Sequence, residues 1–369
     1  MTLVPFDIFL VATPGLEAPL ADEAREAGFA DAQIIDGGVT FSGSWPDVWR
    51  ANLTLRGATR ILARIASFRA LHLAQLDKRA RKLAWGDFLR ADVPVQVEAS
   101  CKRSRIYHDG AAAQRVAKAI NATLGAPITE DAALRVMVRI EDDLVTISTD
   151  TTGASLHKRG FKEAVNKAPM RETMAAMFLR QCGYKGDEPV LDPMCGSGTF
   201  PIEAAEIAAG LLPGRERHFA FEHLPSFDPA AWAALRVAAP AKPTLLRFHG
   251  SDRDAGAIRM AEENAMRARL ADFTRFEQKS IEELTPPAGP PGLVIVNPPY
   301  GGRIGSKGPL IALHRTLGIV LKSRFQGWRA GIVTADKQLA QATGLSFEPM
   351  LPPVLHGGIR VALYRTSQL

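Results

Sequence analysis

Only three cysteines occur in 369 residues, Cys101, Cys182 and Cys195. Their wide spacing provides neither a disulfide framework nor a CxxC pair for zinc. Long apolar runs are also missing, and no segment reaches the ~18 consecutive apolar residues that a spanning helix requires. The start, MTLVPFDIFLVATPG, is apolar but has no basic leader and no small-residue cleavage pattern, so it reads as a first strand and not as a signal peptide. A cytoplasmic chain with no membrane partner is expected. Histidine is sparse, and His108, His249 and His314 lack the spacing of metal ligands, so no metal is expected and structural roles suit all three. Long repeats and low-complexity tracts are absent as well.

What remains is ordinary for a globular chain: 46% hydrophobic and 23% charged residues. The length suggests two or three folding units. A net charge of +6 points modestly to a polyanionic partner. Local clusters say more, namely DKRARK (77–82), CKRSR (101–105) and HKRGFK (157–162). They make Lys102, Arg103, Arg105, His157, Lys158, Arg159 and Lys162 candidate phosphate contacts, with a plain solvated cationic face as the rival reading.

Along the chain the texture changes once. The first third alternates short strands and amphipathic helices, as in FDIFLVA, LEAPLADEAREAG and AQIIDGGVTFSG. It continues with VPVQVEAS, AAAQRVAKAINATL and a hairpin across Glu141–Asp143. That pattern predicts one or two small α+β modules over residues 1–152. A basic connector over 153–168 follows. From 169 to 369, strand and helix alternate at the spacing of a doubly wound sheet, so the fold class is α/β with an N-terminal α+β region. Two proline-containing inserts interrupt this second half.

The strongest local signal is VLDPMCGSGTFPIEAAEIAA (190–209). A strand leads to Asp192, Gly196 and Gly198 permit a tight turn, and a helix from Thr199 aims free amides at a ligand. Pro201 stands where a dinucleotide loop has its third glycine, and no Gly-Lys-Ser/Thr follows, so the loop suits a nucleotide or adenosyl cofactor of another kind. The bland reading is a tight turn. Further on, GSDRDAGAIRMAEENA places Asp252 at a strand end, where a carboxylate can accept both hydroxyls of a ribose; Asp254 suits the helix N-cap.

The stretch LVIVNPPYGGR (293–303) ends a strand without the usual turn formers. A following proline keeps Asn297 extended, and neither Pro298 nor Pro299 carries an N–H. The result is a rigid set of acceptors, the Asn297 side-chain oxygen and the Pro298 carbonyl, beside the Tyr300 ring. Such a set can accept both N–H bonds of an exocyclic amine and aim its lone pair at an electrophile, while the ring stacks on an unpaired base.

With these motifs in view, the chain resembles the class I S-adenosylmethionine-dependent methyltransferases that modify amino groups. The fuller resemblance is to the THUMP-containing guanine-N2 RNA methyltransferases, and within them to bacterial enzymes acting on 23S rRNA. It extends through GGVTFSG, YHDGAAAQRVAKAI, STDTTGASLHKRGFKEAVNKAPMRETMAAMFL and LIALHRTLG, and so covers most of the chain. It implies a ferredoxin-like plus THUMP region that grips RNA, then a Rossmann-like catalytic domain. S-adenosylmethionine is the implied cofactor, and RNA the implied partner, rRNA ahead of tRNA. Carried over by motif, Asp192, Pro193, Cys195, Gly196 and Gly198 shape the cofactor pocket, with Cys195 a small packing residue and no nucleophile. Asp252 holds the ribose, and Ser280 stands where relatives often carry an acidic residue for adenine. Asn297, Pro298 and Tyr300 hold the guanine, and Arg303 joins the phosphate contacts. The implied chemistry is direct transfer to the N2 amine of a flipped or single-stranded guanine. Rival readings are adenine-N6 methylation of DNA, glutamine methylation in proteins, and a non-catalytic RNA-binding factor.

Overall fold

The structure, a computed structural model, describes residues 5–163, 170–237, 242, 244–300 and 307–369. They group into two units: one takes in the chain up to Ala12 with Ala21–Leu156 and Arg217–Ala238, and the other Thr13–Leu20, His157–Glu216 and Ala239–Leu369.

In the first unit, four strands and two helices come first in the chain. The order is β1 (Phe6–Val11), α1 (Glu17–Glu26), β2 (Gln33–Ile35), β3 (Gly38–Gly43), α2 (Trp45–Thr54) and β4 (Arg60–Arg69). The strands lie antiparallel in the order β2-β3-β1-β4, which is ferredoxin-like topology. Helix α3 (Leu73–Ala80), β5 (Val95–Lys102), α4 (Asp109–Leu124), β6 (Leu134–Glu141) and β7 (Leu144–Asp150) follow. Strand β7 pairs with β4, which extends the sheet to seven strands. The expected hairpin is the β6–β7 pair. Its turn residues Asp142 and Asp143 both have positive φ, +50° and +64°, a conformation that Asp tolerates better than most residues. His108 caps α4 by accepting the Ala111 N–H at 3.1 Å, a structural role as expected.

The packing departs from a linear division in two places: Thr13–Leu20 belongs with the second unit, and Arg217–Ala238 with the first. Helix α7 (Pro229–Val237), from the first proline-containing insert, belongs with the N-terminal unit. Aromatic packing explains this: Phe221 stacks on Trp49 at 6.2 Å and meets Trp232 edge-on at 5.0 Å.

The second unit contains α5 (Glu172–Gln181), β8 (Val190–Asp192), α6 (Thr199–Ala208), β9 (Phe248–Asp252), α8 (Ala255–Arg267) and β10 (Thr274–Gln278). It continues through β11 (Leu293–Val296), α9 (Lys307–Arg324), β12 (Arg329–Thr334), α10 (Lys337–Ala342), β13 (Val354–His356) and β14 (Ile359–Arg365). The sheet order is β10-β9-β8-β11-β12-β14-β13. The first five strands are parallel and β14 runs antiparallel to β12, a Rossmann-like doubly wound sheet. Strand β11 is buried at all four residues, as a strand covered on both faces must be. Val294, Val296, Leu317, Leu321, Phe325 and Trp328 share one core. The strand order reverses between β8 and β11, and a crevice opens at their carboxyl ends. Among the described residues no helix is long and apolar enough to cross a membrane.

Candidate active site

The crevice holds a cavity of about 910 Å³. Asp192, Pro193, Cys195, Gly196, Asp252, Ser280, Asn297, Pro298 and Tyr300, all expected from sequence, line it. Gly198 does not. It acts one step back, at φ +82°, as the residue that opens α6, and a Cβ there would sit 3.0 Å from that of Ala261.

The loop after β8 is fastened to the end of β9. Cys195 donates its N–H to the Ser251 carbonyl at 2.9 Å, and Gly196 donates to Asp252 Oδ2 at 3.1 Å. Close approach requires Gly250, because a Cβ there would lie 2.6 Å from the Phe276 ring and 3.0 Å from Cys195 Cβ. Asp252 Oδ1 accepts the Asp254 N–H at 3.0 Å, so both carboxylate oxygens are oriented by backbone. Asp254 caps α8 through the Gly256 N–H at 2.7 Å, and of the two neighbouring carboxylates it is Asp252 that lines the cavity.

Electrostatics in this corner follow from burial. Asp192 is buried at the end of β8, with one N–H bond from Met194 at 3.0 Å. Burial, with the Asp252 charge nearby, pushes its pKa up to about 8. The same burial lifts the Cys195 thiol well above its usual range, so it stays protonated and serves packing. Ser280 lines the cavity where relatives often carry an acidic residue, and its N–H and its Oγ each donate to Glu283 Oε2 at 2.9 Å, capping a short 3-10 turn.

Asn297 follows the last residue of β11, and its Oδ1 is shielded from solvent with no partner among the described residues. An acceptor left unpaired in this way costs ~1–3 kcal/mol, which a ligand donor can recover. Burial pushes the Tyr300 hydroxyl up to about 12, so the ring is neutral. The cavity is therefore lined by a carboxylate and a glycine loop from the β8 and β9 ends and by Asn297, with its unpaired acceptor, and the Tyr300 ring from the β11 end.

Residues 159–350 match the RMKL-like methyltransferase domain, and residues 7–62 match the RlmL ferredoxin-like domain. A candidate RNA methyltransferase of Synechocystis sp. is 31% identical over 97% of this chain and 95% of its own length. The chain belongs to the RMKL-like methyltransferase family. The ribosomal RNA large subunit methyltransferase K/L of Vibrio campbellii is 32% identical over 89% of this chain, which spans about half (49%) of that protein. Among solved structures, SMU.472, a candidate methyltransferase complexed with SAH, superposes with a TM-score of 0.91 at 28% identity, covering 100% of this chain and 99% of that one.

In this RMKL-like methyltransferase the expected phosphate contacts divide. Arg159 and Lys162 do not face solvent. Arg159 pairs with Glu203 at 3.2 Å, both side chains 1% exposed. Lys162 reaches Glu172 at 3.0 Å and Thr199 Oγ1 at 2.8 Å. These cations fasten the connector to α5 and α6, and their expected RNA role is corrected accordingly. His157 is half-buried, and burial beside Arg171 lowers its pKa to about 4, so it brings no charge to a phosphate at neutral pH. Lys158 is exposed. In the first unit Arg103 pairs with Glu141 at 2.6 Å and Asp142 at 3.0 Å, and Lys102 lies 3.5 Å from Glu141, while Arg105 is exposed. Arg303 lies outside the described residues. An Arg159→Ala variant is expected to lose ~3–5 kcal/mol of stability, because Glu203 stays buried after its partner is removed. Urea unfolding measures this, and an unchanged midpoint would contradict it.

Sequence reasoning missed the far wall of the cavity, formed by Met170, Leu313, His356, Gly357 and Ile359. Met170 and Leu313 fall in segments that carry the family resemblance without a role assigned to them, and no local motif marks His356, Gly357 or Ile359.

Proposed function

We propose that this chain uses S-adenosylmethionine to methylate the exocyclic N2 amine of a guanine in RNA, with 23S rRNA ahead of tRNA as the target. The observation that carries the reading is the unpaired Asn297 Oδ1 in the same cavity as Asp252 and the glycine loop. The residues fit the cofactor: Asp252 suits the ribose diol, the Gly196 loop admits close approach, and the cavity is of the size usual for small-molecule ligands. The SAH-bound neighbour and the rRNA-methylating relative support cofactor and substrate class. The N-terminal unit, read as ferredoxin-like plus THUMP, would grip the RNA through Lys102 and Arg105, and Lys158 of the second unit would add a further phosphate contact.

When bound, S-adenosylmethionine supplies an electrophilic methyl group. The chain supplies orientation. Asn297 Oδ1 and the Pro298 carbonyl accept the two amine N–H bonds and turn the nitrogen lone pair toward the cofactor end. Tyr300 stacks on the extruded base. The nitrogen sheds its proton to water after transfer, so no strong base is needed.

The neutral Asp192 has a consequence for the cofactor. A cationic ligand favours the ionised carboxylate, so binding below the carboxyl's pKa of about 8 must release a proton. Affinity for S-adenosylmethionine is therefore expected to rise up to about tenfold per pH unit from pH 6 and to level off above pH 8. Calorimetry at several pH values tests this, and a flat profile would refute it. Asp192→Asn should bind more weakly, without the slope.

The function itself is tested by incubating the protein with labelled S-adenosylmethionine and separate rRNA and tRNA pools from cells lacking the gene. Labelled N2-methylguanosine from 23S rRNA is the expected product. Label in tRNA alone would move the target, and N6-methyladenosine would overturn the guanine assignment.

A further inference from the structure

A second unpaired polar atom stands in the same cavity. Strands β13 and β14 are joined by Gly357 and Gly358, whose φ values of +56° and +83° suit a two-residue type I′ turn. His356 pairs with Ile359 across this turn, and both line the cavity with Leu313 and Tyr300. The sheet order puts the hairpin beyond β11 from β9 and β10. It therefore lies on the β11 side of β8, as Asn297 does, and across the sheet from β9, which ends at Asp252.

The hairpin is fixed in place. Leu355 donates its N–H to the Pro14 carbonyl at 3.4 Å, and a Cβ on Gly15 would stand 2.5 Å from the Pro353 carbonyl oxygen. A polar group on this turn is thus held by backbone contacts, as a recognition group must be if it is to select among bases.

His356 Nδ1 is shielded from solvent and has no hydrogen-bond partner among the described residues. Burial, with Arg171 nearby, lowers the pKa of the ring, so at neutral pH it is uncharged and one of its nitrogens accepts. The cavity is therefore lined by two residues that each carry a solvent-shielded, unpaired polar atom, Asn297 Oδ1 and His356 Nδ1.

We infer that His356 is a specificity-determining residue, its Nδ1 accepting the ring N–H that lies beside the methylated amine of the acceptor base. The inference rests on the reading above, in which that amine meets Asn297. In guanine the N1–H donor adjoins the N2 amine. In adenine the ring nitrogen beside the N6 amine carries a lone pair, so the same acceptor would face an acceptor. A site built for a donor rejects a base that lacks it, because its own buried group is left unpaired.

The test uses the full chain and rRNA from cells lacking the gene. His356→Ala is expected to reduce kcat/KM for methyl transfer by ~10–100-fold, chiefly through KM for RNA, with S-adenosylmethionine affinity within about twofold of the parent. His356→Asn, which restores an acceptor, should recover part of the loss. A kcat/KM within twofold of the parent, or an equal loss of cofactor affinity, would overturn the inference. If the parent chain transfers nothing to rRNA, the proposed substrate fails on its own account. His356 is then decided by following its ring nitrogens in the 15N-histidine-labelled protein holding SAH, as guanosine or adenosine is added. Movement with guanosine supports the inference. Movement with adenosine only, or with neither, overturns it.

Discussion

Asn297→Ala is expected to lower the rate of methyl transfer by about 10²–10³-fold while leaving SAH affinity nearly unchanged. The side chain extends a strand whose four residues are all buried, and Pro298 holds it extended, so the acceptor is set before the substrate arrives. Removing it costs orientation of the amine and nothing at the cofactor end. Single-turnover transfer to RNA, measured alongside SAH titration, separates the two. Equal transfer in variant and parent would remove Asn297 from the site. Asn297→Asp should also be poor, because an ionised carboxylate would replace a neutral acceptor beside a buried base.

Asp252→Ala should act on the other half of the cavity, raising the dissociation constant for SAH by about 10²-fold, the range expected for losing charge-assisted hydrogen bonds to a buried diol. Part of the loss is indirect. The carboxylate accepts the Gly196 and Asp254 N–H groups, so its removal also loosens the loop that shapes the pocket. Asp254→Ala is the control. It removes the cap of α8 and should cost ~1 kcal/mol of stability with little change in SAH affinity. Calorimetric titration of both variants decides between the two carboxylates, and a comparable loss of affinity in Asp254→Ala would refute their division of labour.

That the glycine loop, Asp252 and Asn297 line one cavity was legible in sequence because the signals of the candidate site are local. A strand, a glycine turn and a helix N-terminus are contiguous in VLDPMCGSGTF, and the stiffness of NPPY follows from two prolines whatever surrounds them. The choice between Asp252 and Asp254 was local too, since cap and strand end differ by two residues. The alternation of the second half likewise implied an open doubly wound sheet, whose crevice then fell where strand order reverses.

Other features waited on the tertiary structure. Whether a cation meets solvent or a carboxylate depends on what the chain folds against. HKRGFK reads as one basic patch, yet Arg159 and Lys162 turn inward to Glu203 and Glu172. Ser280 took a capping role because Glu283, three residues on, competes for its hydroxyl. The segment Arg217–Ala238 joined the N-terminal unit through aromatic packing with Trp49, a partner more than 150 residues away in sequence.

The sequence by itself determined the α/β class, the tight glycine turn after β8 and the stiff backbone at Asn297, because each rests on constraints within a few residues. Only the tertiary structure decided which charges are buried and that His356 shares a cavity with Asn297. The first depends on how the connector packs on α5 and α6, and the second on the β12-β14-β13 order, which brings residues 356–359 to the cavity.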